Sequence, residues 1–136
     1  MSMWIVGLIV FLLVDLILVG WILLRRKRVR KFDAKELSYI RAQWIKIIDA
    51  FGAHPKHAIL DADKLLDYAL MKKGFEGNLG DKLKVAGARF SDLDAVWFAH
   101  RLRNKIAHEL TGINGEDAKR ALTNYKKALN DLGAKL

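Results

Sequence analysis

The sequence predicts an all-α protein in which a single N-terminal transmembrane helix precedes a bundle of four to five helices. Residues 1–24 are almost wholly apolar, and Asp15 is their only charged residue. After residue 33, apolar side chains recur every three or four positions, and no run alternates with the period of two that is typical of strands. The sequence contains no cysteine, which excludes a disulfide scaffold, a cysteine-ligated zinc site and thiol chemistry.

Residues 1–24 are predicted to form the transmembrane helix. As a helix rising about 1.5 Å per residue, the segment from Trp4 to Leu24 would cross about 30 Å of hydrocarbon. Trp4 and Trp21 lie near its ends, at the interfacial depth that indole rings prefer. A cleaved signal peptide would have a basic start, a shorter apolar stretch and a small-residue cleavage site. The segment has none of these features, so the pattern favours a membrane anchor.

A basic juxtamembrane linker, residues 25–33, follows this segment. By the positive-inside rule, it predicts a single-pass protein of the cytoplasmic (inner) membrane, with the N-terminus outside and the C-terminal domain in the cytoplasm. The same charges attract anionic lipid, at about 1 kcal/mol for each residue near the surface. A topology signal without specific lipid binding is the alternative interpretation. The residues expected to contact the lipid bilayer are Arg25, Arg26, Lys27, Arg28, Arg30 and Lys31.

Asp15 lies near the middle of the predicted span, where an ionised carboxylate costs about 3 kcal/mol on insertion. One interpretation is that the strongly apolar neighbours tolerate it in the protonated form. The other is that it forms a hydrogen bond with another span, in a second copy of the chain or in a different membrane protein.

Residues 34–136 are predicted to form one helical domain. Pro55 suits the first turn of a helix, and Gly52 and Gly74 suit helix ends. The expected helices are Ala34–Phe51, Pro55–Lys73, Asp81–Ala86, a fourth helix that is N-capped by Ser91 and extends to Leu110, and Glu116–Leu132. In the first of these, the side chains expected to face the core are Leu37, Ile40, Trp44, Ile47, Ile48 and Phe51.

Unusual polar residues are concentrated between Trp97 and Glu109, WFAHRLRNKIAHE. At about 100° per residue, Arg101, Asn104 and His108 share one helix face with Trp97. Arg103 falls within the opposite, apolar arc, where a charged group must pair with a buried carboxylate or extend its stem to solvent. The apolar residues of that arc are Val96, Ala99, Leu102, Ile106 and Leu110, and the candidate carboxylates are Asp61, Asp63 and Asp67.

The segment RNKIAH, from Arg103 to His108, resembles the R-x4-6-H signature of the HEPN superfamily of small helical-bundle proteins. The asparagine directly after the arginine and the Ala-His-Glu ending are similar to the form of the motif in many bacterial and archaeal members. The resemblance implies an all-α, HEPN-like fold over most of residues 34–134. It also implies a homodimer in which the two motifs share one cleft. In catalytically active members, the activity is metal-independent RNA cleavage that leaves a cyclic phosphate end. The resemblance implies that Arg103 binds the scissile phosphate, that His108 is a general acid or base, and that Asn104 orients the histidine or the RNA.

Other assignments remain open at this point. Arg101 is spaced R-x6-H from His108 and lies better in phase with it than Arg103 does, although the spelling of the motif favours Arg103. His100 is a candidate second proton carrier, with a partly packed histidine as the alternative. His54 and His57 lack a further ligand at metal-site spacing, so neither a metal nor another cofactor is predicted.

Two functions are therefore expected from the sequence. The first is a membrane-anchored HEPN-like endoribonuclease, such as a toxin or a phage-defence effector, with RNA as its substrate. Its expected partner is an antitoxin or another membrane protein, which would bind through Asp15. The second is a non-catalytic membrane-anchored adaptor or binding module, in which the motif only stabilises the bundle.

Overall fold

The computed structural model describes residues 2–27, 30–110 and 112–136, with the side chains of residues 25–27 outside that description. Within these ranges the chain is all-helical, without a β-strand, as the sequence predicted. The helices are α1 (Met3–Lys27), α2 (Ala34–Phe51), α3 (Pro55–Lys72), α4 (Leu79–Ala86), α5 (Leu93–His108) and α6 (Gly115–Asp131), and a short 3-10 helix (Gly87–Arg89) lies between α4 and α5.

The chain divides into two compact units, Met1–Arg30 and Lys31–Leu136. The first unit contains α1. Within α1, the most apolar 18-residue window of Met3–Leu24 has a mean hydropathy of 2.9, and none of the residues in that window is buried. By length and composition, this helix is able to cross a membrane. It continues past Leu24 to Lys27, so the first part of the predicted linker is helical. The linker residues Arg28 and Val29 lie outside the described residues.

Helix α2 has the predicted bounds, and a local signal marks its start. The Asp33 carboxylate accepts a hydrogen bond from the Glu36 backbone N–H (2.8 Å), and the Glu36 carboxylate accepts one from the Asp33 N–H (3.0 Å). This reciprocal pair is a capping box. Ile40, Trp44 and Ile47 face the core as expected, whereas the expectation for Ile48 was wrong: it follows Ile47 by about 100° around the helix and is 46% exposed.

Helix α3 lies at the centre of the second unit, where it contacts α2, α4, α5 and α6. Helices on several sides bury much of its circumference, and the alanines allow close approach. The completely buried residues are Ala58, Ile59, Ala62, Leu66, Ala69 and Leu70. The helix ends near Gly74, whose φ of +95° lets the Phe75 N–H reach the Leu70 carbonyl (3.1 Å). Because α3 is central, much of its surface faces other helices, and one of its acids, Asp63, is buried in the core.

Helix α5 differs from the sequence prediction at both ends. Its N-cap is Asp92, which accepts from the Ala95 N–H (3.0 Å), and not Ser91. The Ser91 backbone N–H and hydroxyl instead both donate to the Asp131 carboxylate at 2.8 Å, which ties the start of α5 to the end of α6. The helix ends at His108, so Leu110 is fully exposed outside it and does not face the core.

The two remaining helices begin slightly earlier than predicted, because asparagine side chains cap them. Asn78 accepts from the Asp81 N–H (2.9 Å), which starts α4 at Leu79 instead of Asp81. Asn114 accepts from the Glu116 N–H (2.8 Å), which starts α6 at Gly115. In the bundle, α4 packs against α3, and α6 packs against α3 and α5.

Candidate functional site

The Asp63 carboxylate lies at the centre of a polar network inside the bundle, where its side chain is only 6% exposed. Its Oδ2 atom accepts a hydrogen bond from the Tyr125 hydroxyl of α6 at 2.7 Å and lies 2.9 Å from Nδ1 of His100 on α5. Since a carboxylate only accepts hydrogen bonds, Nδ1 of His100 carries the proton in this contact. In the neutral imidazole, this leaves Nε2 as an unprotonated acceptor.

Arg103 approaches the same carboxylate from α5. Its Nε lies 3.4 Å from Asp63 Oδ1, and this buried atom has no hydrogen-bond partner in the described part of the chain, so the contact is an ion pair without a hydrogen bond. Nη1 donates to the Asn104 side-chain oxygen at 3.1 Å. Among the three carboxylates that the sequence offered as partners, Asp63 is therefore the one that pairs with Arg103.

A pocket of about 390 Å³ opens between α3, α4 and α5. Three of the candidate catalytic residues from the sequence line it: His100, Arg103 and Asn104. Asp63, Lys64, Asp67, Asn78, Leu79 and Gly80 complete the lining. Lys82 is buried beneath Asp67 and donates to its carboxylate at 2.7 Å, which neutralises one acid of the wall. The lining also contains two cations: the exposed Lys64, and Arg103, which is 30% exposed and pairs with Asp63. With Asp67 neutralised by Lys82 and Asp63 paired with Arg103, the charge of Lys64 remains, so the pocket can accept an anion.

His108 and Arg101 lie outside this pocket. His108 is the last residue of α5, and both side chains are exposed, without a hydrogen bond or ion pair to the described residues. Positions 103 and 108 are about 140° apart around a helix, so Arg103 points towards Asp63 while His108 points away from the bundle. The structure therefore brings together Arg103, Asn104 and His100 but does not bring His108 beside them within one chain.

The Tyr125 hydroxyl remains a donor because its surroundings disfavour the phenolate. Burial raises the pKa of Tyr125 far above its usual value, and the nearby Asp63 charge and its hydrogen bond raise this pKa further, while Arg103 has a smaller opposing effect. The sequence reasoning missed this residue. The signal was available: Tyr125 falls on the apolar stripe of α6, and a tyrosine buried in such a stripe needs a partner for its hydroxyl.

Within the described ranges, no group of three or more metal-ligating side chains is present. Comparisons with protein-family models, with curated proteins and with solved structures found no match to this chain.

Proposed function

We propose that this protein is a membrane-anchored, HEPN-like, metal-independent endoribonuclease that acts as a homodimer, such as a toxin or a phage-defence effector. One observation carries the proposal: Arg103 and Asn104 line an open pocket, while His108 is exposed at the end of the same helix. A phosphate-binding group and a titratable group are thus both accessible to a polynucleotide.

Each motif residue has a role that agrees with its surroundings. Asp63 pairs with the Nε edge of the Arg103 guanidinium, and the Nη N–H groups that Asn104 does not accept are available to a phosphate in the pocket. Asn104 fixes the orientation of the guanidinium by accepting from Nη1. His108 supplies general acid or base catalysis, and because it faces away from the pocket of its own chain, it serves the pocket of a second copy.

The anchor supports this arrangement. With the basic run in the cytoplasm, RNA is accessible to the C-terminal domain. Confinement to the membrane raises the effective concentration of the chains for one another and so favours the dimer. Asp15 adds a hydrogen bond to a second span, either of another copy or of an antitoxin.

The test is cleavage of a mixed-sequence RNA by the full chain in detergent micelles with EDTA present. We expect products with a cyclic phosphate end, and we expect His108→Ala to lose at least about 100-fold in rate, since general acid–base groups contribute about 10² to 10⁴. His57→Ala is the matched control, because His57 is also exposed but lies on α3. An intact RNA after incubation with the wild-type chain contradicts the proposal.

A non-catalytic adaptor is the second candidate, and the Arg103–Asp63 ion pair favours it. A guanidinium whose Nε is buried against an interior acid contributes to folding whether or not RNA is bound. The adaptor is supported if Arg103→Ala lowers the free energy of unfolding by more than about 2 kcal/mol while the wild-type chain cleaves no RNA.

A further inference from the structure

The imidazole of His100 is held in one orientation at the wall of the pocket. Nδ1 contacts Asp63, and the Trp97 ring packs edge-on against the imidazole with 5.9 Å between ring centroids. The side chain is 12% exposed, and Nε2 has no hydrogen bond to the described part of the chain. An oriented histidine with its second nitrogen free towards a pocket has the geometry of a general base.

Gly80 keeps the space in front of that nitrogen open. A β-carbon placed on Gly80 would lie 3.9 Å from Nε2 of His100 and 3.9 Å from the Trp97 ring. Any longer side chain there would cover Nε2. The same pocket holds the Arg103 guanidinium, so a phosphate bound to Arg103 lies within the cavity that Nε2 faces.

We propose that His100, oriented by Asp63, is the general base of this site, a catalytic residue additional to His108. The inference rests on the proposed ribonuclease function. Nε2 of His100 takes the proton of the ribose 2′-hydroxyl, the 2′-oxygen forms a bond to phosphorus, and the bond from phosphorus to the 5′-oxygen breaks. His108 gives its proton to that 5′-oxygen. The products are a 2′,3′-cyclic phosphate and a 5′-hydroxyl, and solvent returns both histidines to their starting protonation states.

The two histidines that serve one phosphate come from different chains. The helix rise between positions 100 and 108 is about 12 Å, and His108 lies outside the pocket that His100 lines in its own chain. Each site of the dimer therefore combines His100 and Arg103 of one chain with His108 of the partner subunit.

Two substitutions test the role of His100 in the full chain in micelles, with RNA and EDTA as above. His100→Asn retains an amide N–H at the position of Nδ1 for Asp63 but has no basic nitrogen. Gly80→Ala retains His100 and Asp63 and replaces a glycine by a better helix former in α4. Its methyl group would lie 3.4 Å from the capping oxygen of Asn78, an ordinary van der Waals distance, and 3.9 Å from Nε2 of His100. We expect losses of at least about 100-fold and 10-fold in cleavage rate, respectively, with the thermal unfolding midpoint of Gly80→Ala at or above that of the wild type.

The matched controls are His57→Asn and Gly52→Ala, since His57 is exposed and a β-carbon on Gly52 meets nothing within 4 Å. If both controls and both test variants cleave RNA at the wild-type rate while His108→Ala is inactive, the base assignment is wrong and the ribonuclease proposal stands. If the wild-type chain cleaves no RNA, the ribonuclease proposal fails and the base assignment fails with it.

Mixing inactive chains tests the shared site. In a heterodimer of His100→Asn and His108→Ala chains, one of the two sites has both histidines intact. Random mixing should therefore restore about one quarter of the wild-type rate. A mixture that remains as inactive as its components rules out a site shared between chains.

Discussion

The hydroxyl of Tyr125 on α6 donates a hydrogen bond of 2.7 Å to Oδ2 of Asp63 on α3, deep inside the bundle. The same carboxylate contacts His100 and Arg103 at the pocket wall. A buried charge is stable only when it is paired and hydrogen-bonded, so these three partners together allow Asp63 to occupy the core. One consequence is that the orientation of the pocket side chains and the stability of the bundle depend on the same acid.

Tyr125→Phe removes the hydroxyl while retaining the ring. We expect the free energy of unfolding to fall by about 1–3 kcal/mol, because Asp63 loses a donor that water cannot replace in the core. Urea unfolding followed by tryptophan fluorescence measures this change. Tyr39→Phe is the matched control: Tyr39 is 47% exposed, so we expect a change within about 0.5 kcal/mol. Equal stability of the Tyr125 variant and the wild type would show that the hydrogen bond contributes nothing.

The stability of the bundle should also depend on pH through Tyr125. Burial first, and then the Asp63 charge, raise the pKa of Tyr125 in the folded state above its ordinary value of about 10. The folded state therefore holds this proton more tightly than the unfolded state does. The contribution of this proton to the free energy of unfolding is fully present below pH 10. It is lost as pH rises above 10, by up to about 1.4 kcal/mol for each pH unit.

The comparison of the wild type with Tyr125→Phe isolates this effect, because the lysines titrate in both proteins. Between pH 8 and pH 11, we expect the excess stability of the wild type to stay constant up to about pH 10 and then to decline. If the difference in the free energy of unfolding between the wild type and Tyr125→Phe stays constant from pH 8 to pH 11, the pKa of Tyr125 is not raised in the folded state.

Asp63→Asn tests the acid itself with almost no change in shape. Removing one partner of a buried ion pair typically costs 3–5 kcal/mol, and because Arg103 is 30% exposed, we expect a smaller loss of about 2–4 kcal/mol. Urea unfolding provides the measurement. Asp61→Asn, on the exposed side of the same helix, should change stability by less than about 0.5 kcal/mol. Similar effects of the two substitutions would mean that Asp63 is not a central stabilising residue.

The start of α2 and the end of α3 could be predicted from the sequence because neighbouring residues determine them. The Asp33–Glu36 capping box starts α2, and Gly74 ends α3 through its left-handed φ, whereas Gly52 at the end of α2 has a right-handed φ of −61°. The inward position of Arg103 also followed from helix phase alone. The face of Leu110 was predicted wrongly, because the same phase was extended beyond His108, where α5 ends.

The core of the site was less accessible to sequence reasoning because it depends on long-range contacts. His100 and Asp63 are 37 positions apart, and Tyr125 and Asp63 are 62 apart. No local spacing connects such residues, so His100 could be named only as a candidate and Tyr125 was missed. The assignment of Arg103, Asn104 and His108 to catalysis, and the HEPN resemblance on which it rests, stay predictions.

The proposed orientation of α1 in the membrane gives a prediction about intact cells. Because the basic run follows the apolar segment, we expect external protease to leave the C-terminal domain undigested. Replacing Arg25, Arg26, Lys27 and Arg28 by glutamine should give a mixture of orientations, with part of the domain now digested. Replacing Lys126 and Lys127 on α6 is the control, because charges far from the span have little effect on topology. Digestion of the wild-type domain from outside would reverse the proposed orientation.

Arg103→Lys separates folding from catalysis at the motif arginine. A lysine retains the positive charge beside Asp63, so we expect a stability loss of about 1 kcal/mol, well below that of Asp63→Asn. It lacks the planar fork that binds a phosphate at two points, so we expect RNA cleavage to fall on the order of 100-fold. Unfolding by urea and cleavage in EDTA are measured on the same preparation.

Arg101→Lys is the comparison that assigns the motif. Arg101 is exposed on the same helix, and its R-x6-H spacing from His108 makes it the alternative phosphate ligand. Because Arg103 lines the pocket and Arg101 does not, we expect Arg101→Lys to cleave RNA within about two-fold of the wild type. If Arg101→Lys instead loses cleavage while Arg103→Lys retains it, then Arg103 serves the fold through Asp63, and the phosphate binds on the exposed face of α5 beside His108.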